Sequence, residues 1–281
     1  AFLLGQMVDP AALMTLAACQ DTDGSGFINE KDRVEIYFLD LPTGTMDCLT
    51  CDLGLNSINN PDYSPGNRQV VFSAQYPTAF HNYLFTIDGE KSIRQITNQE
   101  DYMDFDPSWS EDGTRVVFSR LPAPWFSQPS QVWLMDLNGT HLEQITTGGP
   151  NPKGEGPHGP YPIGIDADPD LSPDNSEIVF SRLKTGQENI PYGVYELLVV
   201  DVDTKAIKIL DTSTANMMPQ WKTRGILVVR QEGASDSGRI KAMELKQSLY
   251  IYRDGRFEEL ETYPFNVFPL GAYGGYWIDW E

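Results

Sequence analysis

A short unit that recurs along a chain constrains its fold more than composition does, because every copy must form the same local structure and bury the same faces against its neighbours. The most complete copy here runs from Phe105 to Thr146. Asp106-Pro107-Ser108-Trp109-Ser110-Glu111-Asp112-Gly113 reads as a polar turn, and Arg115-Val116-Val117-Phe118-Ser119 as a β-branched, aromatic strand. An irregular loop leads to a second strand, Gln131 to Leu137, which turns at Asn138-Gly139 into a third, His141 to Thr146. With a short strand ahead of the polar turn, the unit predicts a four-stranded antiparallel sheet.

The same order recurs upstream, where Asp62-Tyr63-Ser64-Pro65-Gly66 precedes Val70-Val71-Phe72-Ser73, Leu84 to Gly89 and Gln95-Ile96-Thr97. Downstream, Asp168 to Asn175 precedes Ile178-Val179-Phe180-Ser181, Leu198 to Asp201 and Ile207 to Leu210. Weaker copies flank these, one around Ile36 to Leu41 and Cys48-Leu49-Thr50, the other around Pro219-Gln220-Trp221, Ile226 to Val229 and Leu249 to Tyr252. A period of roughly 45–60 residues carrying four strands predicts an all-β chain, a β-propeller of four-stranded antiparallel blades. The expected blades are 1–54, 55–99, 100–148, 149–212 and 213–263, within one domain over 1–281. A partial sixth, 264–281, has two strands, Phe265 to Leu270 and Gly275 to Trp280. The ring then closes with the amino-terminal strand near Phe2 to Met7, with sequence preceding Ala1, or with a neighbouring subunit.

Asp-Pro-x-Trp-Ser-x-Asp-Gly before a Val-Val-Phe-Ser strand, then an Ile-Tyr-x-x-Asp-Leu strand with a Gly turn and a terminal Leu/Ile-Thr, resembles the TolB-type, WD40-like (PD40) propeller repeat. The likeness covers almost the whole chain. It implies the fold more strongly than the function, since propellers host binding, scaffolding and catalysis alike.

The second informative stretch is Asp21-Thr22-Asp23-Gly24-Ser25-Gly26-Phe27-Ile28-Asn29-Glu30-Lys31-Asp32, expected as an insertion in the first blade. Asp21, Asp23, Ser25, Asn29 and Asp32 bring side-chain oxygens to the first, third, fifth, ninth and twelfth places of a loop. Phe27 offers its carbonyl at the seventh, after a glycine at the sharp turn, which is the spacing a Ca²⁺ ion requires. The loop resembles EF-hand and, more closely, dockerin-type calcium loops. It departs from the EF-hand in having Asp32 where a glutamate gives bidentate ligation, and in being followed by a strand, Val34 to Leu41, rather than a helix.

The formal charge of −20 favours solubility and divalent cations as ligands, and no basic stripe is present to pair with nucleic-acid phosphates. No stretch is long enough to span a membrane. Leu16-Ala17-Ala18-Cys19 resembles a lipobox, but no Lys or Arg precedes it and Asp9-Pro10 interrupts the apolar run, so it reads as a strand. A start at Ala1 rather than Met points to a removed leader or a longer parent chain. The three cysteines predict a structural disulfide from Cys19 to Cys48 or Cys51, or small buried residues. A redox role for Cys48-Leu49-Thr50-Cys51 is disfavoured by the lack of a surrounding βαβ pattern.

Long connections between second and third strands, and the blade-to-blade link 148–168, emerge on one face, leaving short stereotyped turns on the other. The elaborated face holds the interface candidates Trp125, Phe126, His158 and Tyr161. Of the three histidines, His81 and His141 read as blade-surface residues, and none stands in a nucleophile context. Asp106, Asp112, Asp168 and Asp174 read as caps of the turn backbone. The expected function is that of a secreted or envelope-attached, calcium-binding protein-binding or assembly module. The rival is a propeller enzyme, a metal-using lyase or hydrolase, or the propeller part of a larger peptidase.

Overall fold

The structure, a computed structural model, describes residues 4–9, 13–20, 33–40, 43–64, 66–123, 128–149, 164–183, 195–212, 215–232 and 246–262. These residues form five four-stranded antiparallel sheets, each with its strands in sequence order. The first comprises β1 (Leu4–Asp9), β2 (Leu13–Gln20), β3 (Arg33–Asp40) and β4 (Thr45–Cys48). The second comprises β5 (Asn56–Ser64), β6 (Gln69–Gln75), β7 (Tyr83–Asp88) and β8 (Ile93–Gln95). The third has β9 (Tyr102–Trp109), β10 (Arg115–Pro122), β11 (Gln131–Asp136) and β12 (Glu143–Gln144). The fourth has β13 (Asp166–Leu171), β14 (Glu177–Leu183), β15 (Tyr195–Asp201) and β16 (Ile207–Asp211). The fifth has β17 (Ala215–Lys222), β18 (Gly225–Glu232), β19 (Lys246–Arg253) and β20 (Arg256–Thr262).

The runs of consecutive apolar residues in the second strands have a physical reason. Successive strand side chains point to opposite faces, and in a stack of sheets both faces are covered. Val117 therefore packs with Leu171, Ile178 and Phe180 of the fourth sheet, while Val116 and Phe118 pack with Val71, Leu84 and Ile96 of the second. Likewise Val179 faces the fifth sheet, with Ile226 and Val228, while Val70 and Phe72 share a cluster with Ile36 and Leu49 of the first. The inner strands β5, β9, β13 and β17 pack in succession against one another. Sheets stacked about convergent first strands define a β-propeller.

The polar turns shorten to Ser110–Gly113 and Ser172–Asn175, which close on themselves and on their neighbours. Ser110 Oγ donates to Asp112 Oδ1 at 2.7 Å, and the amide of Thr114 donates to the same oxygen at 2.9 Å. Gly113 has φ +67°, and a Cβ there would stand 2.6 Å from Ser64 Oγ of the preceding sheet, so glycine lets the two turns approach. The remainder of the expected turn, Asp106 to Trp109, instead belongs to inner strand β9. Calcium-loop residues 21–32, the stretches 124–127 and 150–163, and the partial blade 264–281 lie outside the described residues.

Phe118 is fully buried between the second and third sheets. Phe118→Ala is expected to cost about 3–5 kcal/mol by leaving a cavity there. Ile209→Ala, at a side chain 55% exposed on an outer strand, is expected to change stability by less than about 0.5 kcal/mol. Urea melts of the two variants check the contrast.

Candidate functional site

Four inner strands carry a residue directly before a proline: Asn60, Asp106, Asp168 and Met218. Proline normally drives its predecessor into extended backbone. Here all four adopt positive φ, at 50°, 48°, 50° and 52°, and the ladder to each second strand slips at that point. Such a bulge turns a side chain out of its own sheet. The left-handed backbone costs on the order of 1–2 kcal/mol at each non-glycine residue, and contacts between sheets offset it.

Those contacts join neighbours. Asn60 Nδ2 donates to Asp106 Oδ1. The amide of Asp168 donates to Asp106 Oδ2 at 3.3 Å, and the amide of Met218 to Asp168 Oδ2 at 3.3 Å. Burial, and then the charge of Asp168, hold the Asp106 carboxyl well above the usual carboxylate range. Burial pushes Asp168 up to about 6, against the stabilising amide of Met218. Tyr195 is pushed up to about 12 by burial and by both carboxylates. Both acids on the inner strands are therefore held toward their protonated form, and they titrate as a coupled pair.

Two residues further along, a second tier repeats the device. The amide of Trp109 donates to Asp62 Oδ2 at 2.6 Å and that of Trp221 to Asp170 Oδ2 at 2.6 Å, while Ser108 Oγ donates to Asp170 Oδ1 at 2.6 Å. A third tier lies at the start of β9 and β13, on the long-loop side. Arg120 grips Asp104 with Nε and Nη2 at 2.6 and 2.8 Å, and Arg182 grips Asp166 at 2.5 and 2.8 Å. Arg120 is only 1% exposed, and its guanidinium lies 4.7 Å from the Tyr102 ring centre and 5.1 Å from that of Trp133. Thr146, which closes the third sheet, donates to Asp166 Oδ2 at 2.5 Å, and Thr97 bonds Asp104 in the same way. Burial raises the pKa of both aspartates, and the arginines oppose that rise.

His81 is not a plain surface residue. It is half-buried, its Nε2 lies 2.6 Å from the Tyr83 hydroxyl, and it stands close enough to Asp104 to favour the ionised carboxylate. Beside it, Tyr76 packs on Tyr83 and Phe85, and Phe80 projects with 83% of its surface exposed. His141 does lie on the surface, paired with Asp136 at 2.5 Å.

Two further expectations need correction. Asp112 and Asp174 cap turns as anticipated, but Asp106 and Asp168 serve the neighbouring sheet instead, because the bulge before each proline directs them there. The disulfide joins Cys48 to Cys51 and does not involve Cys19, whose strand neighbour across the ladder is Val34. A local pair closes because the chain turns directly after β4, bringing the amide of Cys51 to 3.1 Å from Cys48 Sγ. The expected ligands Asp21, Asp23, Ser25, Phe27, Asn29 and Asp32, and the interface candidates Trp125, Phe126, His158 and Tyr161, lie outside the described residues.

The repeated four-stranded sheets, joined along their inner strands, define the class, a β-propeller. The chain belongs to the TolB beta propeller domain (PD40) family, which it matches over residues 26–247. It is similar to uncharacterized protein Atu1656 of Agrobacterium fabrum, with 32% identity over 130 residues, covering 44% of this chain and 43% of that one. Among solved structures, TolB from Acinetobacter baumannii superposes with a TM-score of 0.61 at 21% identity, over 91% of this chain and 52% of that one. An oligogalacturonate lyase in complex with manganese superposes with a TM-score of 0.57 at 13% identity, over 89% of this chain and 63% of that one. These two likenesses show the fold. The chain spans about half the length of the TolB structure and less of the Agrobacterium protein.

The raised acid pair makes a pH prediction with a definite sign. A carboxyl whose folded pKa exceeds its unfolded value binds its proton more tightly when folded. The stability this adds is full below the unfolded value of 3.8 and is lost as pH rises through about 6. The isosteric Asp168→Asn keeps an acceptor for the Met218 amide and removes the titration. The difference in stability between this variant and wild type, from urea melts at pH 4 to 7.5, is expected to grow in the variant's favour by up to about 3 kcal/mol. A pH-independent difference contradicts the assignment.

Proposed function

We propose that this chain is a secreted or cell-envelope propeller module that binds a protein partner through its long-loop face and one Ca²⁺ ion through the Asp21–Asp32 loop. The observation that carries the reading is Phe80. Large aromatics held at a protein surface by a rigid neighbour are the anchors that dominate interface energies. Phe80 is 83% exposed on the 76–82 connection, on which Tyr76 packs against Tyr83 and Phe85. The Cys48–Cys51 disulfide supports an oxidising compartment. No helix among the described residues is long and apolar enough to cross a membrane.

A photo-crosslinking side chain at position 80 is expected to trap a discrete partner from cells, and the same group at position 209 is expected to trap none. Equal labelling at both positions removes the contact patch. Assembly through residues 264–281 is a separate route to contact, and light scattering across concentrations distinguishes it.

The calcium reading rests on ligand spacing and on self-repulsion of an acidic loop. An ion bound only by the folded state stabilises it by mass action, about 2.7 kcal/mol at a hundredfold excess over Kd. Melts in calcium are expected to lie above those in chelator, and Asp21→Ala to erase the gap. Coincident wild-type melts refute calcium binding.

One observation favours a second reading, a propeller enzyme. The Asp106 and Asp168 carboxyls, raised toward neutrality, have the protonation behaviour of an acid–base pair. Turnover of oligogalacturonate or of a peptide library that disappears in Asp106→Asn would establish this reading and displace the non-enzymatic one.

A further inference from the structure

The Thr–Asp–Arg tier changes at the fifth sheet, where Asn216 and Arg230 share Asp211, and loses its arginine altogether between the first and second sheets. Thr97 and Thr146 each close a sheet by accepting from a third-strand amide, Leu84 or Val132, and each bonds a buried aspartate that holds an arginine. Thr50 makes the same first bond, accepting from the amide of Ile36 at 2.9 Å. In the sheet that follows, however, the aspartate position is Ile58 and the arginine position is Ala74. The carboxylate comes instead from Glu35, 4% exposed, whose Oε2 accepts from Thr50 Oγ1 at 2.6 Å. Among the described residues no Lys or Arg pairs with it. A carboxylate taken out of water without a countercharge is costly. A Glu35 oxygen and the sulfurs of Cys48 and Cys51 all lie within 4.8 Å of one another, and the Tyr37 hydroxyl lies 3.7 Å from Cys51 Sγ.

We infer that Glu35, Cys48 and Cys51 form a site for a thiolate-preferring divalent cation of the zinc class, open when the disulfide is reduced and closed when it is formed. Two cysteines separated by two residues are a standard zinc-ligand spacing, and a carboxylate is an accepted third ligand. A tetrahedral ion with bonds of about 2.3 Å to sulfur and about 2.0–2.2 Å to oxygen needs its ligand atoms somewhat under 4 Å apart, which rotation of the freed cysteines supplies. The charges support the cation. Reduction places two ionisable thiols beside a buried carboxylate, and the divalent ion neutralises most of their combined negative charge where Arg120 and Arg182 serve the other sheets. The Cys51 amide, 3.1 Å from Cys48 Sγ, favours the thiolate at Cys48. The conversion balances. A dithiol reductant is oxidised to its disulfide while Cys48–Cys51 becomes two thiols, and the ion displaces a proton from each as it binds. The two states exclude each other, so the cation and the oxidant compete for one pair of sulfurs.

The test uses the whole chain carrying Cys19→Ser, so that only this pair reports. After phosphine reduction, Co²⁺ is titrated in and the sulfur-to-metal charge-transfer absorption is followed. One equivalent is expected to saturate it, and Zn²⁺ to displace the cobalt and protect two thiols from alkylation. The oxidised protein is expected to give no such band. Glu35→Gln is expected to weaken Co²⁺ binding at least tenfold while its disulfide still forms, and Cys48→Ser to abolish the band. The oxygen-only Asp21–Asp32 loop gives no charge-transfer absorption, so calcium binding there neither produces nor hides the signal. Absence of the band in reduced, folded protein overturns the inference. So do unfolding on reduction, which would make the disulfide a staple, and an unchanged affinity in Glu35→Gln.

Discussion

Successive sheets of this propeller are tied by side-chain carboxylates that accept backbone amides across the gap between inner strands. Asp62, Asp106, Asp168 and Asp170 each reach an N–H group of the next sheet. Apolar clusters such as that of Val117 with Ile178 and Phe180 supply most of the favourable burial. Apolar contact is tolerant of small slips, however, because it has no preferred direction. Short bonds from amide to carboxylate are directional, so they set the position at which one sheet meets the next.

The cost of this arrangement is visible in the same residues. Asp106 and Asp168 sit in left-handed backbone before prolines, and their carboxyls resist ionisation. Asp104 and Asp166 escape part of that cost through buried guanidinium partners. Removing one member of such a pair is far more damaging than the net worth of the pair, since it strands the other charge. The axis is therefore a place of fixed geometry and perturbed acids, two properties shared by binding mouths and by catalytic centres.

Much of the fold was legible because second strands such as Val116-Val117-Phe118 need to be apolar on both sides, and glycine-marked turns separate the strands. The inner strands were harder. Asp106-Pro107-Ser108-Trp109 has the composition of a turn, and it does adopt a turn-like residue at Asp106, yet the ladder continues on either side of it. Arg120 and Arg182 lie near the ends of their strands, where a charged side chain ordinarily meets solvent, and the tertiary pairing with aspartates sixteen positions earlier buries them instead. His81 was misread for a related reason, since its partner Tyr83 follows two positions later and its burial comes from the packing of the loop. The cysteine pairing depended on a chain reversal after β4 that three cysteines alone do not specify.

The bonds that backbone amides make to carboxylates between inner strands also have a common sense. In each, the acceptor oxygen belongs to the earlier sheet and the amide to the later one, as in Asp62 with Trp109 and Asp170 with Trp221. A sheet that has already formed thus displays its acceptors, which water can solvate, to a strand not yet in place. The reverse order would leave amide donors waiting beside a bulged strand. A chain emerging from its amino terminus meets each docking position already prepared, so the direction of synthesis and the direction of the hydrogen bonds coincide.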